Sequence, residues 1–494
     1  MYINIRLKKE KTKMSFWESN VWSYITIIGV LFVGLIIAYV LKNTIKPLKT
    51  SLIPVSVLAG LIILIFSAIY KVITKENFFD LGFLSITNEN TNIISGSSFL
   101  ETITYHCLGI GFVAMAFRRT KNDGGKSTLK SADVLNTGIT TVSTYLLQAL
   151  VGGIVTIILV LILSETGLIP ASGILLCLGF GQGTGQALNF GTLYESDYGF
   201  TGGAHFGLAI AALGFLMASL GGVIYLNLLK KKGKISQTEE VREAKLEDFN
   251  EQGEIGLTES VDKLSIQVAF VLIAYVLSYL FMKGISLLIP SMAATIFGFN
   301  FLFGTLIAVL FKVILNTLHK KNIIKRQYLN NFLMNRIGGL AFDIMIVAGI
   351  AVIDIELIFE YWYVLLILAL VGALVTFLYI RFICKTLYKD YKYEQFFGMY
   401  GMLTGTASTG IILLREIDPN LTSPTSSNLV YQNFPAIILG LPIMLLVPFA
   451  ARGMKECIIT LLIALVYFIV LVIVLFRSKI FKKREKKIVE ETAE

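Results

Sequence analysis

The chain is short of charge. Of its 494 residues only 15% are Asp, Glu, Lys or Arg, against roughly a quarter in soluble globular proteins. It carries 4 cysteines and 3 histidines. Three histidines exclude a histidine-rich metal centre. Cys107, Cys177, Cys384 and Cys457 lie in or beside apolar stretches without metal-ligand spacing, so they read as small buried hydrophobes. No Ser/His pair, His-Glu-x-x-His or paired-Asp motif is evident, which argues against an intramembrane enzyme. No nucleotide-binding domain accompanies the apolar spans, which argues against a primary pump. What the chain has instead is hydrophobicity: 55% of residues are hydrophobic and the mean hydropathy is +0.74. This composition specifies an all-α polytopic membrane protein, with lipid bilayer rather than water as its main solvent. The net charge of +10 sits in short clusters between apolar stretches, where Lys and Arg report topology rather than a nucleic-acid partner.

Apolar windows lie near 21–41, 51–70, 98–117, 137–163, 171–189, 203–229, 264–289, 292–318, 332–353, 357–380, 396–414, 428–450 and 456–476. Two of them are interrupted, by "GFGQGTGQA" and by "GMYGMLTGTASTG". Glycine costs about 1 kcal/mol against alanine in a helix interior. Irregular backbone at membrane depth survives only where protein or a water-filled cavity satisfies it. Both windows therefore predict re-entrant hairpins or broken helices. The charges favour hairpins. Arg118, Arg119, Lys121, Lys126 and Lys130 mark one loop as cytoplasmic, and Lys230, Lys231, Lys232 and Lys234 mark another. Two full crossings separate these loops only if 171–189 enters and returns on the outer side. Lys320, Lys321, Lys325, Arg326, Arg381, Lys385, Lys389, Lys392 and "FKKREKK" at 481–487 continue the pattern. They place the second hairpin's opening and the C-terminus in the cytoplasm. Lys42, Lys46 and Lys49 then also fall inside and the N-terminus outside. The basic leader "MYINIRLKKEKTK" opposes that placement, a conflict removed if Met14 is the start.

Gly179, Gly183 and Thr184 match Gly401, Gly405 and Thr406 at a spacing of 222 residues. Each half has four spans, a broken segment and one more span. Five crossings per half is an odd number, so the halves are inverted repeats. Interrupted helices at corresponding positions of inverted repeats point to a secondary transporter's binding site. The division expected is an N-terminal repeat at 1–229, a polar cytoplasmic linker at 230–263, an inverted repeat at 264–454, and a last helix with a basic tail at 455–494.

A broken helix offers free N–H groups at one half-helix start, suited to a carboxylate, and free carbonyls at the other's end, suited to sodium. Substrate contacts are expected from Gln182, Gly183, Thr184 and Gln186 in the first segment and from Gly405, Thr406, Ser408 and Thr409 in the second. Thr404 and Asp343 are candidate sodium ligands. Asp343 lies within the ninth window, and an ionisable group at that depth is by default functional. The alternative is a structural pairing with Arg336, seven residues earlier on nearly the same helix face. Glu101 and His106 read as interfacial. Arg415 follows the second hairpin, where topology accounts for it; attraction of a carboxylate is the alternative. A phosphate cradle fails, since no Walker lysine follows "GFGQGTG". A passive channel is a competing class, but beyond Gly179, Gly183 and Thr184 the two segments differ.

The stretch "SGILLCLGFGQGTGQALNFGTLYESDYGFTGGAHFGLAIAALGFLMASLGG", Ser172 to Gly222, resembles the sodium/glutamate symporter family. The likeness rests on Gly181 to Gly185, Tyr198 to Phe200 and Gly221–Gly222. "KDYKYEQFFGMYGMLTGTASTG", Lys389 to Gly410, resembles the family's second hairpin, and "IPVSVLAGL" at 53–61 its early Pro-Val-Ala-Gly-Gly segment. The resemblance implies a sodium-coupled glutamate importer of the plasma membrane, with no cofactor beyond the coupling ion. It also implies a homodimer, with a moving transport domain beside a fixed scaffold and the two hairpins meeting at the substrate. Phe180 and Gln182 stand where Gly and His are expected, and Ser408 where Pro is expected before Thr409. Another carboxylate, including a di- or tricarboxylate, is the alternative substrate.

Overall fold

The structure is a computed structural model that describes residues 19–81, 84, 86–87, 93–118, 131–163, 167–235, 262–324, 326–419 and 423–477. Met14 and the basic leader, Arg119, Lys121, Lys126, Lys130, Lys325, most of the 230–263 linker and the tail from 478 onward lie outside those residues. Among the described residues the chain is helical apart from a two-residue antiparallel ladder, Ile86–Thr87 with Ile93–Ile94.

Among the described residues ten helices are long and apolar enough to cross a bilayer. They are α1 (Ser19–Thr44), α3 (Val55–Thr74), α4 (Gly96–Ala116), α5 (Ser131–Ile162), α8 (Gly203–Lys231), α9 (Lys263–Leu288), α11 (Asn300–Lys320), α12 (Asn331–Ala351), α14 (Trp362–Leu387) and α19 (Met454–Leu475). Short helices α2 (Lys46–Thr50), α10 (Ala293–Gly298) and α13 (Ile355–Phe359) connect some of them. Together α17 (Thr425–Tyr431) and α18 (Asn433–Ala450), bent by 50°, are long and apolar enough to count as an eleventh if the pair is one span. Pro435 explains the bend, because it has no N–H to donate to the carbonyl one turn earlier. Helix is the form these spans must take, since hydrocarbon offers no partner to a free backbone group. Their outward faces are apolar: Ile25, Val33 and Ile36 on α1, and Leu462, Val466 and Ile473 on α19, are exposed. A belt of that kind is stable against lipid. The chain is a multi-pass membrane protein.

The packing repeats between the halves. In the first, α1 packs on α3; in the second, α9 packs on α11. Then α4 and α12 pack on each other, with α3 against α12 and α11 against α4. These six helices form one group. The other gathers α5, α8, α14, α18 and α19 around the two interrupted segments. Each half supplies helices to both groups, so the repeats are units of sequence rather than of packing.

Contacts at the helix ends fix their directions. Tyr391, just before the second interrupted segment, donates to Asp133 at the start of α5, and Arg477 after α19 donates to Asn136. The ends of α8 and α14 meet the same region through Lys232, Arg381 and Lys385. We call this the basic face. On the opposite face Tyr361, before α14, packs on Phe200 and Phe206 at the start of α8. There Lys71, at the end of α3, pairs with Asp354 (3.1 Å) and Glu356 (2.7 Å) beyond α12. We call this opposite face, which carries Asp354 and Glu356, the acidic face; with α1 starting there and α9 on the basic face, the two repeats run in opposite senses.

Two hairpins meeting at a candidate functional site

The first interrupted segment is α6 (Leu175–Gln182) followed by α7 (Thr184–Tyr198). Gly173, in the turn leading into α6, packs on Gly152 of α5, and Gly181 at its other end packs on Tyr145 of α5. The segment therefore descends from the acidic face toward mid-membrane. α7 then runs back, with Ala187 on Gly207 and Gly191 on Gly203 of α8. The reversal happens at one residue. Gly183 has φ +82° and ψ −171°, a region essentially reserved for glycine. The second segment, α15 (Lys392–Thr404) and α16 (Ala407–Arg415), enters from the basic face. Gly401 lies against Gly410, which folds the two helices antiparallel. Both are re-entrant hairpins, opening on opposite faces.

The tips touch. A Cβ built on Gly183 would lie 3.0 Å from Thr406 Cγ2 and 3.8 Å from the Gly405 carbonyl. The matched positions of the repeat thus stand face to face. α7 and α16 both begin here. Their first intrahelical bonds are Ala187 N to Gly183 O (3.2 Å) and Gly410 N to Thr406 O (3.0 Å). The N–H groups of Thr184, Gly185 and Gln186, and of Ala407, Ser408 and Thr409, therefore have no partner within their own helices. Two positive helix ends at mid-membrane favour an anionic group between or beside them.

Side chains add to this. Gln186 is 1% exposed, yet among the described residues neither end of its amide finds a hydrogen-bond partner; Gln182 Nε2 is in the same condition. An unpaired buried group of this kind costs about 1–3 kcal/mol, so the tip region is polar beyond its structural needs. Thr184 is buried and donates to the Met345 carbonyl of α12 (3.5 Å), which ties the first tip to the other helix group. Thr406 and Thr409 approach through their hydroxyls (3.5 Å), Gly405 is buried between Thr409 and Phe215, and Ser408 is exposed.

The two candidate sodium ligands have separate neighbours. Thr404 is buried, donates to the Tyr400 carbonyl (2.6 Å), and has its own carbonyl against Gly214 of α8. Asp343 faces Ser56 of α3. Arg336 is exposed and lies over the Phe332 ring, 5.0 Å from its centroid. It makes no ion pair with Asp343. Among the described residues no group of three His, Cys, Asp or Glu side chains comes together, and the four cysteines are free, three of them buried.

Gln148 belongs to no motif in the sequence, yet it holds a central place. Buried on α5, it donates Nε2 to Thr376 of α14 (2.9 Å) and to the Leu403 carbonyl of the second hairpin (2.8 Å). Its Oε1 would lie 3.2 Å from a Cβ on Gly181 of the first hairpin. One side chain thus stands between the two hairpins. The available signal was the run of hydroxyls in "NTGITTVSTYLLQ", an inward polar stripe on an otherwise apolar window. Further along that stripe Ser143 meets Tyr379 (2.8 Å) and Thr137 meets Tyr388 (3.0 Å) and Gln395 (3.1 Å). At the hairpin base, burial and then the Asp133 carboxylate push the Tyr391 phenol up, which keeps it a donor.

Glu101 and His106 lie on the wall of a cavity of about 550 Å³. It sits between α4, α10 and the outer half of α7, and Asn189 of α7 reaches across to the Gly298 carbonyl (3.0 Å). Fold and site together define a polytopic helical membrane protein whose two inverted halves each send a hairpin to the centre. No protein-family model matches the chain, and no curated protein is significantly similar to it.

Proposed function

We propose that the protein is a sodium-coupled secondary transporter that imports glutamate or a similar carboxylate amino acid by alternating access. The observation that carries this reading is the meeting of two oppositely opening hairpins at Gly183 and Thr406, with two helix N-termini and unpaired amide groups beside it. That chemistry suits a small zwitterion with an extra carboxylate. Gln182, Thr184, Gln186, Thr406, Ser408 and Thr409 are the side chains assigned to substrate, with Gly183 and Gly405 allowing its close approach. Thr404 and Asp343 are assigned to sodium. The cavity walled by Glu101 and His106 is the assigned approach from outside. The resemblance of 172–222 and 389–410 to sodium/glutamate symporters supports both substrate and coupling ion. The same resemblance supports a homodimer in the plasma membrane, and the basic face supports a cytoplasmic C-terminus.

The test is uptake of radiolabelled L-glutamate into proteoliposomes, with and without an inward sodium gradient, against unlabelled aspartate, glutamine, citrate and malate. Sodium-dependent accumulation blocked by close glutamate analogues is the expected result. Sodium-driven uptake of citrate or malate instead would assign the pocket to another organic anion. Non-saturating, gradient-independent flux would make the protein a channel and overturn the reading.

A further inference from the structure

A second site lies on the basic face, away from the hairpin tips. Lys232, Lys234, Arg381, Lys385 and Lys392 surround one cavity of about 320 Å³ at the ends of α8 and α14 and the start of α15, and among the described residues no carboxylate lines it. Among the described residues none of the five is ion-paired. The floor is aromatic: Tyr225 packs on Phe396 (4.7 Å between centroids) and on Phe377 (5.1 Å), and Arg381 lies over the Tyr225 ring at 5.7 Å. Lysines scattered at helix ends report topology; five cations converging on one cavity repel one another until an anion joins them.

The cavity's rim identifies the anion. Leu228 lines it and is exposed, and Ile224 and Leu220 continue that exposed strip one and two turns deeper along α8. On α14 the exposed residues Phe382, Leu378 and Leu374 descend in the same way. A basic pocket at the interface above two apolar strips matches a molecule with an anionic phosphate head and acyl chains. We propose that this cavity binds an anionic phospholipid of the leaflet on the basic face, its phosphate held by the five cations and its chains lying along α8 and α14. The bound lipid joins the base of the second hairpin to both helices, so it braces the element whose tip carries Gly405.

The test is native mass spectrometry of the purified full-length chain titrated with phosphatidylglycerol, cardiolipin and phosphatidylcholine. It is repeated on the triple variant Arg381→Gln/Lys385→Gln/Lys392→Gln and on the control Lys230→Gln/Lys231→Gln, whose lysines share the face but not the cavity. The expected result is a preference for the anionic lipids over phosphatidylcholine of about tenfold or more, the scale of a localised headgroup site. The triple variant should lose that preference and the control keep it. Equal binding by wild type and triple variant would overturn the site. Pyrophosphate displacing the lipid at equimolar concentration would overturn the lipid and leave a soluble anion as ligand. Should the triple variant not fold, a photoreactive anionic lipid on the wild-type chain decides: adducts on α8, α14 and α15 support the proposal, and adducts confined elsewhere sink it.

Discussion

Replacing Gly183 by alanine puts a side chain where backbone and neighbours both resist it. At φ +82°, ψ −171° an L-residue carries strain of about 1–3 kcal/mol. The new Cβ would also lie 3.0 Å from Thr406 Cγ2, a contact relieved by a shift of a few tenths of an ångström. The backbone strain is the larger effect. It corresponds to a loss of roughly 5- to 150-fold in the population of the native tip. Thermal unfolding of Gly183→Ala, Thr406→Ser and the double variant in detergent separates the two contributions, because serine removes Cγ2 and leaves φ untouched. Gly183→Ala should melt earlier and lose most sodium-driven uptake in proteoliposomes, and the double variant should recover the smaller share. Wild-type stability and uptake in Gly183→Ala would refute the reasoning. Full recovery by Thr406→Ser would make crowding, not backbone strain, the cause.

Gln148→Leu keeps the shape but strands the Thr376 hydroxyl and the Leu403 carbonyl; a loss of about 1–3 kcal/mol should appear as earlier thermal unfolding together with reduced uptake. Arg336→Gln should leave stability within about 0.5 kcal/mol of wild type, measured by the same melting, because Arg336 is exposed and forms no ion pair among the described residues. Asp343→Asn tests the assignment to sodium: half-saturating sodium for uptake should rise while the protein still folds, and an unchanged sodium dependence would leave Asp343 a partner of Ser56 only. In a cysteine-free background without substrate, Ser408→Cys should react faster with small thiol reagents than Thr184→Cys, as their exposed and buried positions require. Equal labelling of both would contradict the geometry of the tips.

The architecture was largely legible because a bilayer imposes simple rules. Each apolar window corresponds to a helix or interrupted segment, and the glycine run at 179–185 breaks at Gly183. The spacing of 222 residues maps Gly183 onto Gly405, which occupies the equivalent tip. Charge position predicts hairpins opening on opposite faces, and they do. Boundaries blurred where a short apolar helix precedes a long one: the window at 357–380 merges α13, capped by Asp354, with α14. Pairings between distant helices were not legible. Helix periodicity puts Arg336 near Asp343, but Arg336 turns to Phe332 and Asp343 meets Ser56, on a helix far away in sequence. Gln148 escaped for the same reason, since its partner Thr376 lies 228 residues on. Periodicity assigns a residue to a face; only the packing says what that face meets.

Three polar links near the seam between the two helix groups are single points. Thr184 grips the Met345 carbonyl, Asn189 the Gly298 carbonyl, and the backbone N–H of Asp354 donates to His205. In two of the three a lone side chain holds a main-chain oxygen at a helix surface, and along a helix an equivalent oxygen recurs about every 5.4 Å. For Thr184 the next carbonyl along α12 is an equivalent partner one turn away, whereas pulling the hairpins apart would break Gln148's bond to the Leu403 carbonyl. The seam between the groups and the clasp between the hairpins therefore differ in kind: one contact has a neighbour like itself, and the other joins two particular atoms.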